Sequence, residues 1–235
     1  MDDKEALKGS LRLGIAGAIL TIVGVLASGP LAVLLVQATH PQPPWADAET
    51  FCEAYHPIQG LPYYFGFALV AGNLLFIAAL FRISVERLKL RGLISLVLTG
   101  AFTTFIFLNY TIQIALIPAL VNSHSPEDAP VIALLSFSNP QSLPWAIEMW
   151  GYAFLGAATW LMSAVFAGNR IERVTAGLMI ANGVFCILGA VLASLDLRWV
   201  MSVPGLVAYA TWNCLLLVQS VFVVISLNMR VKGLR

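Results

Sequence analysis

The chain has 235 residues, of which 59% are hydrophobic and only 11% are charged, and its formal net charge is +1. In soluble globular domains about a quarter of the residues are charged, so this composition excludes a soluble domain and indicates an integral membrane protein. We therefore expect the lipid bilayer, and not nucleic acid, to be its main partner.

Six apolar stretches follow one another along the chain, and each is at least as long as the roughly 20 residues that a membrane-spanning helix needs. They predict an all-α transmembrane fold, a six-helix bundle formed by residues 11–36, 61–81, 93–121, 145–167, 174–195 and 204–229. These helices use most of the sequence, so residues 1–235 are predicted to form a single domain. The first stretch is too long for the apolar region of a signal peptide, and we expect it to be retained.

The basic residues are distributed unevenly between the two sides of the predicted bundle. Only Arg198 lies on one side, whereas the other 12 of the 13 basic residues lie at helix ends or connections on the opposite side: Lys4, Lys8, Arg12, Arg82, Arg87, Lys89, Arg91, Arg170, Arg173, Arg230, Lys232 and Arg235. The positive-inside rule then predicts that both termini are cytoplasmic, in a multi-pass protein of the cell membrane. An even number of helices likewise requires the two termini to lie on the same side of the membrane.

Two longer connections, residues 39–60 and 122–143, are predicted to lie on the outer side and to form a cap. Pro41, Pro43 and Pro44 prevent the first of them from starting as a helix. The second contains an apolar run, residues 131–137, that is too short to cross a bilayer. It is predicted to be a short surface helix.

A weak internal repeat relates the second and third helices to the fourth and fifth, at a shift of 85 residues. It aligns four pairs of residues: Gly66 with Gly151, Ala68 with Ala153, Ala79 with Ala164, and Phe81 with Phe166. The match is typical either of a duplicated helical hairpin or of chance similarity between apolar helices. A duplication in the same direction would disfavour an alternating-access carrier, since many of those have inverted repeats.

Small residues four apart within this repeat indicate close helix packing. The pairs are Ala68 with Gly72 and Ala153 with Ala157. Small side chains let helix backbones approach each other in lipid.

Three segments of the chain carry a family resemblance, mainly within residues 142–190. They are Trp145-Ala-Ile-Glu-Met-Trp-Gly-Tyr-Ala-Phe-Leu-Gly, then Asn169-Arg-Ile-Glu-Arg, then Leu178-Met-Ile-Ala-Asn-Gly-Val. This pattern resembles a family of uncharacterised six-helix bacterial membrane proteins. The resemblance implies the fold but no activity and no cofactor.

Polar side chains within the apolar stretches are the first candidates for a site, because they are costly at membrane depth. Three pairs at i, i+4 spacing each share one helix face in the outer half: Asn109 with Gln113, Glu148 with Tyr152, and Tyr209 with Asn213. If these faces converge, they line an outward-facing polar pocket, with Asn73 as its floor. Alternatively, the amides only hold the helices together through hydrogen bonds.

Two further patterns suggest specific chemistry. Glu148 is a candidate general acid or base or a cation ligand, although a carboxylate near a helix N-terminus is also favoured by the helix dipole. Cys52, Glu53 and His56 are candidate ligands of a zinc-like metal if His40 or His124 completes the set. The alternative for these three is a solvated loop.

Several classes of membrane protein are excluded. All three histidines, His40, His56 and His124, lie outside the apolar stretches, so no haem is held between transmembrane histidines. No basic residue lies in the middle of a helix, which excludes a voltage sensor.

Three functions remain open. The first is a protein that binds or passes a small neutral or lipid-like molecule, apolar or amphipathic, through the outward-facing pocket. The second is a membrane enzyme that uses Glu148 as acid or base on an apolar substrate. The third is an accessory subunit that associates with a membrane-protein partner or with further copies of itself.

Overall fold

The computed structural model describes residues 3–123 and 125–234, and within them the chain is helical apart from short connections. We number the eight helices of these residues in chain order as α1 (Asp3–Thr39), α2 (Ala48–Ala54), α3 (Pro57–Ile83), α4 (Glu86–Ser123), α5 (Ala129–Leu135), α6 (Leu143–Met162), α7 (Arg170–Leu195) and α8 (Val203–Gly233). This architecture confirms the prediction of an all-α fold.

Five helices, α1, α3, α4, α7 and α8, are long and apolar enough to cross a membrane. They fit a multi-pass membrane protein. The remaining predicted span, residues 145–167, corresponds to α6, which has 20 residues but is not among the five. Its hydropathy is reduced by Glu148 and by three tryptophans, and half of its residues are buried against other helices. The structure therefore shows five candidate spans, and the count of six stays a prediction.

The six long helices form a closed ring. Each packs against the next long helix in chain order, and α8 packs against α1. Both described ends of the chain lie at one end of this ring, with the α3–α4 and α6–α7 connections. We refer to this end as the basic end, because it carries Arg82, Arg87, Arg170 and Arg230, and to the opposite end as the cap end.

The interior of the ring is filled by two apolar clusters, one in each half. The cluster in the cap half is built around Phe102, Ile106, Leu155 and Leu216. The cluster in the basic half contains Ile77, Leu80, Met162, Phe166 and Met179. These side chains are almost fully buried, so the core is a packed interior, and the two cavities described below lie in the cap half.

The cap end is covered by the two short helices. Phe51 of α2 and Ile132 of α5 are buried together with Ile117 and Val121, at the end of α4. The predicted surface helix at residues 131–137 is observed as α5, two residues earlier in the chain. Asp47 begins α2, because its side chain accepts a hydrogen bond of 2.8 Å from the backbone N–H of Thr50. That bond also lowers the pKa of Asp47.

Close packing of α1 against α3 depends on glycines from both helices. A Cβ added at Gly17 would lie 2.6 Å from the backbone nitrogen of Phe76, and one added at Gly72 would lie 2.5 Å from the backbone nitrogen of Thr21. Gly24 faces Leu69 in the same way, with its added Cβ 2.6 Å from the Leu69 Cα. In lipid, where packing holds helices together, such backbone contacts are a main source of stability.

We expect Gly24→Ala to lower the free energy of unfolding by about 1–3 kcal/mol, because the new methyl group overlaps backbone that cannot move aside cheaply. The matched control is Gly100→Ala, in the middle of α4, where an added Cβ meets nothing within 4 Å. That change should be neutral or slightly stabilising, because alanine favours helix. Unfolding titrations in mixed micelles measure both. Equal losses in the two variants would contradict the packing described for α1 and α3.

The two halves of the predicted repeat do not make equivalent contacts at the aligned pair Gly66 and Gly151. Gly66 faces Tyr110, and Gly151 faces Ile106, so both glycines contact α4 and not successive helices of the ring. Of the residues in the predicted small pairs, Gly72 makes a close contact with α1, and the glycines that bring α6 and α7 together are Gly156 and Gly183. The duplication remains a prediction from the sequence.

Candidate functional site

Glu148 is the centre of a hydrogen-bonded group of side chains in the cap half of the ring. It lies in the second turn of α6 and is only 6% exposed. Its carboxylate accepts hydrogen bonds from the Nδ2 of Asn109 at 3.0 Å and from the hydroxyl of Tyr110 at 3.1 Å. The Tyr110 hydroxyl oxygen lies 3.4 Å from that of Tyr152. We refer to Asn109, Tyr110, Glu148 and Tyr152 as the Glu148 cluster.

The position of this cluster follows from how α4 packs against α6. Asn109 also donates to the backbone carbonyl of Pro144 at 3.0 Å. This carbonyl, at the start of α6, thereby has a hydrogen-bond partner from α4. Further toward the basic end, the hydroxyl of Ser95 donates to the carbonyl of Ala158 at 2.9 Å and joins the same two helices. Gly66 of α3 leaves room for the Tyr110 ring, since a side chain at Gly66 would overlap it.

Glu148 has no basic partner among the residues that the structure describes. Their three ion pairs are Lys8 with Glu5, Arg198 with Asp196, and Arg230 with Glu172. The donors to Glu148 are an amide and a phenol, and both are neutral. A buried carboxylate usually has a cation or a metal beside it, so a carboxylate without one is a candidate for a functional residue.

A cavity of about 60 Å³, which we refer to as cavity 1, lies between α6, α7 and α8 beside Glu148. Six of its 13 lining residues are aromatic: Trp145, Tyr152, Phe185, Trp199, Tyr209 and Trp212. The Trp212 ring meets Tyr152 edge to face, with ring centres 4.4 Å apart. Cavity 1 therefore combines aromatic surface with one carboxylate.

A second cavity of about 260 Å³, cavity 2, lies on the other side of Glu148. It is bounded by Ser28 and Gly29 of α1, by Tyr63 of α3, by Tyr110 of α4, and by Phe137 and Ser138 next to the cap. Trp145, Glu148 and Tyr209 line both cavities. The two spaces thus meet at the Glu148 cluster.

Both neighbouring helices α1 and α4 contain a π-helical turn close to this site. The turn in α1 is Ala27–Leu31, which includes Pro30, and the turn in α4 is Ile112–Leu116. Turns of this kind are rare inside α-helices and are frequent at functional sites. Here the first one supplies the wall of cavity 2, and the second follows directly after the Glu148 cluster.

The structure brings four of the predicted site residues together. Asn109, Glu148 and Tyr152 belong to the Glu148 cluster, and Tyr209 lines both cavities. Tyr209 is 47% exposed, so part of the wall that the two cavities share lies at the surface of the ring.

The other three predicted residues have different roles. The Nδ2 of Asn73 donates to the carbonyl of Leu69 in its own helix, and that of Asn213 donates to the carbonyl of Tyr209. The Nε2 of Gln113 donates to the carbonyl of Leu135 beside the cap. None of the three lines cavity 1 or cavity 2.

Two residues at the centre of the site were not predicted from the sequence. Tyr110 follows Asn109 directly, and Trp212 precedes Asn213. The one indication in the sequence is that each of them is the direct neighbour of a predicted polar site residue. It was missed because neighbours in a helix point about 100° apart, whereas long aromatic side chains can reach across that angle to the same space.

We expect Asn109→Leu to lower the free energy of unfolding by about 1–2 kcal/mol, because Glu148 and the Pro144 carbonyl each lose a donor inside the bundle. Asn213→Leu, an equivalent change in α8, should stay within about 0.5 kcal/mol, because Asn213 is bonded only to its own helix. Unfolding titrations of both variants in mixed micelles provide the comparison. A larger loss of stability in Asn213→Leu than in Asn109→Leu would contradict the role of Asn109 in joining α4 to α6.

The candidate metal ligands do not assemble in the described residues, where no group of three or more such side chains is close enough to hold an ion. The Nδ1 of His56 accepts a hydrogen bond of 3.2 Å from the backbone of Ile58, and its ring stacks on His40 with centres 3.6 Å apart. Burial raises the pKa of the Cys52 thiol, which disfavours the thiolate that a metal needs. His124 lies outside the described residues.

Comparison with protein-family models, with curated proteins and with solved structures finds no match to this chain. The resemblance of residues 142–190 to a six-helix bacterial family therefore stays a prediction from its sequence motifs. The functional argument depends on the geometry of the Glu148 cluster and the two cavities.

Proposed function

We propose that the protein crosses the cell membrane six times, with α6 as the fourth span and with both termini in the cytoplasm. The positive-inside rule supports this orientation, because the basic residues gather at the basic end. The ring supports the count, since α6 packs between α4 and α7 and spans a comparable thickness with its 20 residues. Its lower hydropathy is compatible with a helix that contacts mostly protein.

Within this arrangement, the protein binds a small, largely apolar molecule, or lets it pass, through cavities that open at the cap end. The observation that carries this proposal is the buried Glu148 at the junction of two cavities with aromatic walls. Binding sites of small molecules are typically mostly apolar clefts with a few placed polar groups. The cap end faces the outside in this orientation, so the molecule arrives from there.

A change that fills cavity 1 tests this function. Ala208 of α8 lines cavity 1, and a phenylalanine side chain at that position would project into the space that the ligand takes in this proposal. The control is Ala210→Phe, because Ala210 is exposed on the same helix and lines neither cavity. The two positions differ by about 200° around the helix.

The protein and both variants are extracted in a mild detergent, and the retained small molecules are measured by mass spectrometry. We expect one molecule in near-stoichiometric amount with the unchanged protein and with Ala210→Phe, and a loss of about tenfold or more with Ala208→Phe at unchanged melting temperature. Retention that is equal in all three, or that never rises above ordinary bilayer lipid, would contradict the proposal.

The hydrogen-bonded chain from Tyr152 through Tyr110 to Glu148 also supports the enzyme as a second candidate function, because such a chain can relay a proton to a bound substrate. The same mass spectra separate the two. A binding protein releases the molecule that it took up, whereas an enzyme with Glu148 as acid or base releases a changed one. Glu148→Gln would then keep the unchanged substrate bound.

A further inference from the structure

The walls of the two cavities contain one carboxyl group and no basic side chain. Glu148 lines both of them, and no lysine, arginine or histidine lines either one. An anionic ligand would find no opposite charge there. A neutral ligand would leave the carboxyl group without a counter-charge, so that it must either stay buried as an unpaired anion, which is costly in a site of low polarity, or take up a proton. The composition of the walls therefore favours a ligand with positive charge.

The aromatic rings around Glu148 have the second property of a site for cations. The faces of Trp and Tyr attract an ammonium group within about 6 Å, and this is how aromatic cages hold quaternary amines. Tyr152 and Tyr209 both pack against Trp212, with ring centres at 4.4 and 5.7 Å from it. Trp145 donates its indole N–H to the carbonyl of Phe137 at 2.8 Å, so its polar atom already has a partner in the protein.

The charge of the cap end is an independent observation in the same direction. Apart from Glu148, it carries six carboxylates and one basic side chain, Arg198, a formal charge of −5 with neutral histidines; the acids are Asp47, Glu49, Glu53, Glu127, Asp128 and Asp196. Arg198 is itself paired with Asp196 at 3.1 Å. A surface of one sign raises the local concentration of ions of the other sign and speeds their arrival. The end at which the cavities open thus attracts cations.

We propose that the ligand of this site is a small organic cation, an ammonium group with apolar substituents, held between the Glu148 carboxylate and the aromatic rings of cavity 1. This inference rests on the proposed binding function and adds the charge of the ligand to it. Asn109 and Tyr110 position the carboxylate through their hydrogen bonds. Tyr152, Tyr209 and Trp212 supply the aromatic surface.

Two probes of the same shape isolate the charge. Choline and its uncharged isostere 3,3-dimethylbutan-1-ol differ only in the quaternary nitrogen, which is a carbon in the alcohol, and both dissolve in water. Binding is followed in maltoside micelles by the fluorescence of the tryptophans that line cavity 1. We expect choline to bind at least about tenfold more tightly than the alcohol.

The variants place this preference at Glu148. Glu148→Gln keeps the shape of the side chain but removes its charge, and we expect at least about a 30-fold loss of choline affinity with little change for the alcohol. Glu53→Gln removes a carboxylate from the cap end that does not line cavity 1 or cavity 2 and should leave choline binding nearly unchanged. Tyr209→Leu, at a partly exposed position that the fold tolerates, should weaken choline binding about fivefold.

The outcomes separate this inference from the proposed function. Equal affinity for choline and the alcohol, or no choline binding by a protein that retains a neutral molecule in cavity 1, overturns the positive charge and leaves the binding function standing. Equal losses in Glu53→Gln and Glu148→Gln overturn it as well, because the preference would then belong to the surface charge. If Glu148→Gln fails to fold, unchanged choline binding in Tyr209→Leu overturns the aromatic site. Failure of the proposed function itself appears only in the Ala208→Phe comparison.

Discussion

Arg230→Gln is expected to lower the free energy of unfolding by about 3 kcal/mol, because it leaves a buried carboxylate without its cation. The Nε and Nη2 of Arg230 donate to the two carboxylate oxygens of Glu172 at 2.7 and 2.9 Å, and Nη2 also donates to the carbonyl of Val165 at 2.7 Å. Glu172 is only 5% exposed. The guanidinium thereby joins the end of α8 to the first turn of α7 and to the connection between α6 and α7.

The matched control is Arg173→Gln, which removes an exposed arginine one residue from Glu172. It should change the stability by less than about 0.5 kcal/mol. The double variant Glu172→Gln with Arg230→Gln should recover part of the loss, since no charge is then left buried. Unfolding titrations in mixed micelles give all three values. A loss in Arg173→Gln as large as that in Arg230→Gln would show that the pair does not stabilise the basic end.

Gln113→Leu is expected to release the cap from the ring, at a local cost of about 2–3 kcal/mol. Gln113 donates from Nε2 to the carbonyl of Leu135 at 2.8 Å and accepts through Oε1 from the N–H of Phe137 at 3.1 Å. It is 5% exposed, so leucine leaves two sheltered backbone groups without partners. Amide hydrogen exchange in residues 129–138 should become about tenfold faster or more.

Gln141→Leu is the control for this change, because Gln141 is an exposed glutamine in the connection between α5 and α6. It should leave the exchange of residues 129–138 unaltered. The effect of Gln113→Leu should also extend to cavity 2, since Phe137 stacks on Tyr63 and meets Trp145 edge to face. Unaltered exchange in Gln113→Leu would mean that the cap is held by its apolar contacts alone.

The role of Gln113 shows where prediction from the sequence reached its limit. The i, i+4 spacing predicted that Gln113 shares a face with Asn109, which holds for a regular α-helix. Gln113 lies about one turn nearer to the cap than Asn109, and there its amide meets the backbone groups of Leu135 and Phe137. No residue pattern in the sequence indicates that the connection between α5 and α6 folds against this turn of α4.

Glu148 and Asn109 were predicted as site residues because polar groups at membrane depth are rare and costly. Their mutual hydrogen bond was not, since it depends on the packing of α4 against α6, which a single sequence does not reveal. Five of the predicted stretches follow from length and hydropathy alone, and the structure shows them as helices long and apolar enough to cross a membrane. The remaining predicted span, α6, is the hardest to recognise because the residues of the candidate site lower its hydropathy.

Labelling of single cysteines in intact cells tests most directly that the cavities open to the outside of the membrane at Tyr209. Cys52, Cys186 and Cys214 are first replaced by alanine, and Tyr209→Cys, Thr211→Cys and Arg87→Cys are then treated with a thiol reagent that does not cross membranes. Thr211 is exposed on the same helix but lines neither cavity, and Arg87 is exposed at the basic end.

Tyr209→Cys should be labelled in intact cells, because a thiol ionises and reacts only where water reaches it. Thr211→Cys should react far more slowly from within the lipid, and Arg87→Cys only after the cells are permeabilised. Labelling of Arg87→Cys in intact cells, or equal rates at positions 209 and 211, would contradict an outward-facing cavity.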